Sequence, residues 1–496
     1  MGLEIDRETF TEEERRRFQS QLQRGLVALE RLLERPGFGA GPPTIGAELE
    51  LDLIGEDGRP ALVAEAVLAE LSPTEFTTEI NRFNLEYNAP PLPLAGRPFA
   101  KLREQIEVAL GLIRGAAGKR GAAPITIGIL PTLELGDVAG DMMTPKRRYH
   151  ALSRGLRELQ DGPFMLRIEG RESLEAQFDD IASEGANTSF QVHLRCSPAE
   201  FAHTHDAAQL VTAPVLAAAA NSPFLLGRAL WDETRIALFR QSVEDRPGAS
   251  LDDWRPARVS FGHGWTRRGL FEHFAEVVAM HAPVLPVSSA EDPLEVLRAG
   301  GVPKLAELRL HQGTVWRWNR AIYDSADGGH LRVELRALPS GPTPVDMAAN
   351  AALALGATLA LREDAERWLS GFTFGQARRN FYEAARLGLD AKLLWPRAGA
   401  LPQLRAAADV VLELCDRAEP CLVRAGVVRD DARAALDVVR ARIETKQNGA
   451  VWLRTALERL LASGTPRPEA FGRVTRAYAA RSDRGDPIGA WDLSSL

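Results

Sequence analysis

Cysteine is almost missing from this sequence. Cys196, Cys415 and Cys421 are the only three among 496 residues. So few thiols, so irregularly spaced, exclude a disulfide framework and a cysteine-built zinc site, and a reducing cytoplasm fits them. Long apolar runs are missing as well. The most apolar stretch, Ala207 to Leu226, is broken by Thr212, Pro214, Asn221, Ser222 and Pro223; it is poor material for crossing a bilayer and reads as a buried alanine-rich helix. The first residues, MGLEIDRETFTEEERRRF, lack the apolar centre of a secretory signal, and Asp6 stands where a myristoylation motif wants Ser or Thr. Neither export nor a membrane partner is expected. No long basic block interrupts a net charge of −7, which leaves out the electrostatic footprint of a nucleic-acid binder. A P-loop, a dinucleotide fingerprint and a nucleophile elbow are absent too, and with them the commonest nucleotide-loop and serine-hydrolase readings. No internal repeat or low-complexity tract is found.

What is present is ordinary globular composition, 45% hydrophobic and 26% charged, in a length that accommodates two or three domains or one enlarged catalytic domain with a helical appendage. Apolar spacing predicts an amphipathic helix over 9–34, capped at Thr9 or Thr11, then a strand at 44–54 and a short helix at 61–71. A second strand with a bend near Arg82 is expected over 75–88, stopped by Pro90 and Pro91. Helices follow at 97–119, 146–160, 206–221 and 344–362, and strands at 124–130, 187–196, 306–311 and 330–337. From about Phe372 onward the pattern is almost wholly helical. The expected organisation is an N-terminal helix (1–40), a catalytic domain (41–365) and a helical C-terminal region packed on it (366–496).

Residues two apart on a strand share a face. Glu48, Glu50 and Asp52 therefore oppose Leu49, Leu51 and Leu53. Asn84, Glu86 and Asn88 oppose Phe83, Leu85 and Tyr87; Ser189, Gln191, His193 and Arg195 oppose Phe190, Val192 and Leu194. Glu307, Arg309 and His311 oppose Leu308 and Leu310, while Arg332, Glu334 and Arg336 oppose Leu331, Val333 and Leu335. Any one of these could be the solvated face of a half-buried antiparallel strand. As a set they carry no lysine. Carboxylates crowded on one face raise each other's pKa unless cations sit among them, and an oxygen-rich surface with one imidazole suits Mg²⁺ and nucleotide phosphates better than zinc.

Glu48-Leu49-Glu50, FNLEYNAPP around Glu86, NTSFQVH ending at His193, ANSPF followed by Arg235, and RVELR from Arg332 to Arg336 together resemble the glutamate–cysteine ligase superfamily, over roughly residues 44–350. The resemblance implies an α+β fold of the glutamine-synthetase and guanido-kinase type, in which a curved antiparallel sheet forms a half-funnel among helices. It implies ATP and Mg²⁺, with Mn²⁺ possible, as cofactors, and Glu48, Glu50, Glu86, His193 and Glu334 as metal ligands. Arg235 would bind a substrate carboxylate and Arg336 would stabilise the transferring phosphoryl group, roles that suit a planar guanidinium. Gln191, Arg332, Trp316 and Asn319 are expected at the nucleotide, and Asn84, Arg148 and Tyr149 beside Arg235 at the substrate. The implied reaction is ATP-dependent joining of a carboxylate, activated as an acyl-phosphate, to an amine, by a monomer or homodimer acting on small amino-acid and amine substrates. Phosphoryl transfer on the same architecture is the alternative; a catalytically silent binder of amino acids or nucleotides would be favoured had several of these residues been lost, and their presence argues for activity.

Other features read both ways. Lys146 to His150 is either a solvated helix start or an anion contact, and the Trp316–Arg320 region either a packed aromatic corner or a pocket wall. Asn448-Gly449 is expected to cap a helix C-terminus, Cys196 to be a buried thiol, and the His203/His205 pair beside Asp206 to be a surface feature.

Overall fold

The computed structural model describes residues 5–246, 255–397 and 400–494. Seven strands form one antiparallel sheet: β1 (Thr44–Gly55), β2 (Phe76–Thr78), β3 (Asn84–Pro93), β4 (Ala122–Ile125), β5 (Phe190–Cys196), β6 (Asn319–Asp324) and β7 (His330–Leu335). The order is β6-β7-β5-β1-β3-β2, and β4 also pairs with β1. The long first strand is shared: its first half pairs with β5 and its second half with β4. The sheet curls into a half-barrel.

Alternation decides what each face does. Leu49, Leu51, Leu53, Leu85, Val192, Leu194, Leu331 and Val333 are all buried, and each such side chain contributes roughly 1.5–3 kcal/mol by leaving water. Helices cover that face. Against the sheet lie α2 (Phe201–Ala219), α4 (Pro344–Arg362) and the helix Pro98–Gly118; α1 (Glu12–Leu33), α3 (Arg235–Ser242), α5 (Gly449–Ala462) and α6 (Arg467–Ser482) lie farther out. Thr11 caps α1 through a capping box with Glu14. Helix α4 is long and apolar enough to cross a bilayer, but it is enclosed by α2 and by the helices Pro98–Gly118, Ala407–Arg424 and Arg429–Glu444.

Several expectations are corrected. The segment 75–88 is two strands, β2 and β3, and β3 continues through Pro90 and Pro91; the register against β1 shifts between Ile45 and Ala47, opposite those prolines, where an irregularity tolerates residues without an N–H. The strand expected at 306–311 is the helix Ala306–Gln312. Leu308 and Leu310 are both buried there, together with Glu307 and His311, so its alternation reflected burial on several sides, which a short apolar run cannot distinguish from a strand. The C-terminal region contains a hairpin, Lys392–Arg397 with Ala400–Ala406. Asn448 caps the start of α5, its side chain accepting from Val451 N, and not the end of a helix. His205 and Asp206 are buried inside α2, where Thr266 Oγ1 lies 3.0 Å from His205 Nδ1 and Thr266 N donates to Asp206; only His203 of that pair is at the surface.

Candidate active site

Strand register assembles the polar face. Glu48 stands between Asn88 of β3 and Gln191 of β5; Glu50 is opposite Glu86, Asp52 opposite Asn84, and His193 opposite Glu334. Two groups of potential metal donors result. Glu48, His193 and Glu334 form one, and Glu50, Glu79 and Glu86 the other; within each, one donor atom per residue lies within 4.8 Å of the others. His193 Nε2 is 3.1 Å from Glu48 Oε1 and 3.7 Å from Glu334 Oε1, and among the described residues Nδ1 of this buried imidazole has no hydrogen-bond partner.

Arginines and amides surround the carboxylates. Arg320 grips Glu334 in a two-pronged pair at 2.6 and 2.9 Å, and Arg336 donates to Glu334 at 3.2 Å and also to Gln191. Gln191 in turn donates to Glu50 at 2.8 Å, and Ser189 N to the other Glu50 oxygen at 2.7 Å. Asn88 donates to Glu86 at 2.6 Å. Asn84, expected to touch substrate, is buried and donates to Asp52 at 2.5 Å.

The electrostatics divide the two groups. Burial opposes ionisation of Glu48, but His193 outweighs it and holds the carboxyl below its ordinary value. Burial likewise opposes ionisation of Glu334, and Arg320, Arg336 and His193 together bring it well down. In the second group compensation falls short: burial keeps Glu50 above its ordinary value in spite of Arg336, Ser189 and Arg235. Burial, then Glu48 and Glu50, push Glu86 up to about 7; burial, then Glu86 and Glu50, hold Glu79 well above the carboxylate range. Glu184, on the turn Glu184–Ala186, is pushed up to about 8 by burial and Glu50 in spite of Arg336 and Arg235.

A stability profile follows from those directions. In chelator, the raised carboxyls of Glu79, Glu86 and Glu184 bind protons in the native chain at pH values where an unfolded glutamate, of pKa ~4.3, has lost its own. Below the ordinary histidine value of ~6.5, His273, His281 and His311, whose pKa values burial lowers, oppose this trend, so stability of the metal-free protein should fall as pH rises from about 7 to about 8, where the carboxyls act alone. The lowered groups, Glu48 and Glu334, act only below that window. Urea midpoints across it check this, and divalent cation added at the alkaline end should restore the midpoint. A flat or rising profile would contradict the packing of charge described.

Two of these residues, Glu79 and Glu184, have no place in the sequence reading, and Arg320 enters it only as part of a possible pocket wall, without its place beside Glu334. Glu79 lies two positions beyond Thr77, which pairs with Glu86, so the two-residue rule carried one step past β2 reaches it. Arg320 is directly opposite Glu334, but its segment reads as a loop. Glu184 sits on a turn with no periodic signal. Other expected site residues lie elsewhere. Asn319 faces away from the carboxylates and donates to Gln209 and Thr212 of α2 at 2.7 and 2.9 Å, because alternation gives Arg320 the inner position. Trp316 packs against Phe239 with ring centres 5.9 Å apart, on a two-residue strand outside the main sheet. Arg332 shares the face of Glu334 but is engaged by Asp324 and His330. Tyr149 donates to Thr78 O at 2.9 Å, and burial followed by Glu79 raises its phenol strongly; Arg148 is partly exposed beside it.

The donor set fits a hard divalent cation: five carboxylates and one imidazole, with like charges that a cation would relieve.

A family model described as Glutamate-cysteine ligase family 2 (GCS2) matches residues 2–479. No curated protein matches the chain. Among solved structures, glutamate–cysteine ligase from Francisella tularensis in complex with AMP is similar over 92% of this chain and 91% of its own, at 10% identity and a TM-score of 0.52; the likeness is one of fold. A bifunctional glutathione synthetase from Pasteurella multocida covers 92% of this chain and 53% of its own, at 11% identity and a TM-score of 0.48. The ligase PafA in complex with the ubiquitin-like protein Pup covers 88% and 73%, at 10% identity and a TM-score of 0.39.

Proposed function

This chain belongs to the glutamate–cysteine ligase family 2, and on that footing we propose that it is an ATP-dependent carboxylate–amine ligase of the glutamate–cysteine ligase type. The observation that carries the reading is the pair of three-donor groups on one sheet face, ringed by Arg320 and Arg336. Glutamate as the acid and cysteine as the amine are the first pair to test.

In this reading Glu48, His193 and Glu334 hold one Mg²⁺ or Mn²⁺, and Glu50, Glu79 and Glu86 hold another. Such ions, when bound, screen the phosphates of ATP and the charge that develops on the transferring phosphoryl group. The chain's own part is positioning. Arg336, already held by Glu334 and Gln191, presents its remaining donors to phosphoryl oxygens. Arg235 binds a substrate carboxylate. The acid oxygen takes the phosphoryl group from ATP; the amine then forms the C–N bond as the C–O bond to phosphate breaks, releasing phosphate and a proton. No side-chain nucleophile is required, which agrees with three buried cysteines whose thiols burial holds above their ordinary range.

The test is incubation with ATP, Mg²⁺, a panel of amino-acid carboxylates and a panel of amines, following ADP release and product mass. ADP release should depend on acid and amine together and accompany a product of their joined mass less water. Release that never requires both would sink the ligase reading, and a phosphorylated amine as sole product would replace it with a phosphotransferase.

A further inference from the structure

Arg235 is an arginine at the first position of a helix, where the helix dipole disfavours a cation, and it is only 2% exposed. Its guanidinium is fixed on three sides. Nε donates to Glu233 Oε1 at 3.0 Å, Nη2 donates to the carbonyl of Ala337, and Cζ lies 5.9 Å from the Trp318 ring centre. Among the described residues Nη1 is the terminal nitrogen left without a hydrogen bond. Glu233 is itself fully buried and held on both oxygens: Oε1 also accepts from Ser222 Oγ at 2.7 Å, and Oε2 accepts from Asn221 N at 2.8 Å.

The chain of contacts does not stop there. Asn221 Nδ2 donates to Ser340 O and to Tyr478 Oη, both at 2.8 Å, and Tyr478 Oη donates to Thr126 O at 2.9 Å. Tyr478 belongs to α6, near the end of the C-terminal helices. Helix α5 grips the same segment: Ala450 N donates to Ala220 O, and Arg454 pairs with Asp232. A side chain at Gly449 would lie 1.8 Å from Asn221 Oδ1, so only glycine lets α5 approach this closely.

We propose that Glu233 and Tyr478 are positioning residues for Arg235, and that the C-terminal helices thereby hold the substrate-carboxylate contact in register with the metal-donor face. The relay runs from Tyr478 through Asn221 to Glu233 and ends on the guanidinium. It rests on the ligase reading, in which Arg235 meets a substrate carboxylate, while the sheet's own donors bind nucleotide and metal. Loosening the relay therefore affects one carboxylate-bearing substrate and spares ATP.

The experiment compares Tyr478→Phe and Glu233→Gln with wild type, using the acid and amine pair that supports wild-type ADP release, and measures KM for acid, amine and ATP separately beside the melting temperature. Removing one hydroxyl should raise KM for a single carboxylate-bearing substrate roughly 3- to 10-fold with KM for ATP unchanged. Glu233→Gln should produce the same selective change, larger, by about tenfold or more. A role confined to packing would lower the melting temperature and the active fraction while leaving each KM as it was, and that result overturns the inference; so does an equal rise in all three. If Glu233→Gln does not fold, Tyr478→Phe decides alone. Absence of acid- and amine-dependent ADP release in wild type is a separate failure, which removes the ligase reading and this inference with it.

Discussion

Glu334→Gln should remove roughly 100- to 1,000-fold of kcat, the range found when one preorganised electrostatic contact to a transferring group is lost. The carboxylate is wholly buried and is the shared partner of Arg320, Arg336 and His193. Glutamine preserves its volume but cannot hold a divalent cation as an anion, and it leaves two guanidiniums facing a neutral group. A stability cost therefore accompanies the kinetic one: losing one side of a buried ion pair costs about 3–5 kcal/mol when nothing compensates, and Glu48 and Glu50 remain nearby to offset part of it. Circular dichroism and urea midpoints separate the two effects, and a Mg²⁺ titration of ADP release reads the metal contribution directly. Wild-type turnover in a folded Glu334→Gln protein would mean that the polar face is not where the chemistry happens.

The second large effect concerns the junction of the two halves of the chain. Asp346, in the first turn of α4 and fully buried, accepts from Arg442 Nη2 at 2.8 Å, from Thr343 Oγ1 at 2.7 Å and from Ile488 N at 2.9 Å. Arg442 is buried as well and also donates to Asn350 Oδ1 at 2.7 Å and Ala218 O at 3.1 Å. Asp346→Ala strands that guanidinium without its counter-charge and should cost about 3–5 kcal/mol, a large share of a net stability of ~5–15 kcal/mol. Because the pair joins α4 to segments some 100 and 140 positions later in sequence, unfolding should remain a single transition at a lower urea midpoint. Asp346→Ala combined with Arg442→Met should recover part of the loss. An unchanged midpoint, or separate melting of the C-terminal helices, would show that the junction does not couple them.

The carboxylate face was legible because strand geometry is simple. A period of two, applied to IGAELELDLI, RFNLEYN, NTSFQVHLRC and HLRVELRA, places Glu48 with Glu50, and Glu86, His193 and Glu334 each, on the polar side of its own strand. Pairing is what the sequence does not display. Glu79 and Arg320 join the site through their neighbours across the sheet, and Glu184 through a turn. The same limit explains the errors. AELRLH alternates as a strand should, but Leu308 fits against Gly25 of α1 and the segment turns as a helix. Pro90 and Pro91 read as a stop, but they lie where the register against β1 shifts and are exposed. Asn319 is expected at the nucleotide because arginines and aromatics alternate around it, but its parity on the strand assigns it to the helices beneath. The helical long segments were read closely, as at Pro344–Arg362, since periodicity sustained over several turns outweighs the ambiguity of any single residue.

The register of β1 has a consequence for how this scaffold can change. A slip of one residue would exchange Glu48 and Glu50 with Leu49 and Leu51, expelling leucines from the interior in the same movement that buries the carboxylates. The interior thus acts as an index for the metal donors, and insertions in β1 are ruled out by packing before chemistry is considered. Arg235 is carried differently, on a segment outside the seven strands that is tied down by side chains of the C-terminal helices. On the reading proposed above, substrate preference and phosphoryl chemistry would be written on separate parts, so that the first could be revised without rewriting the second.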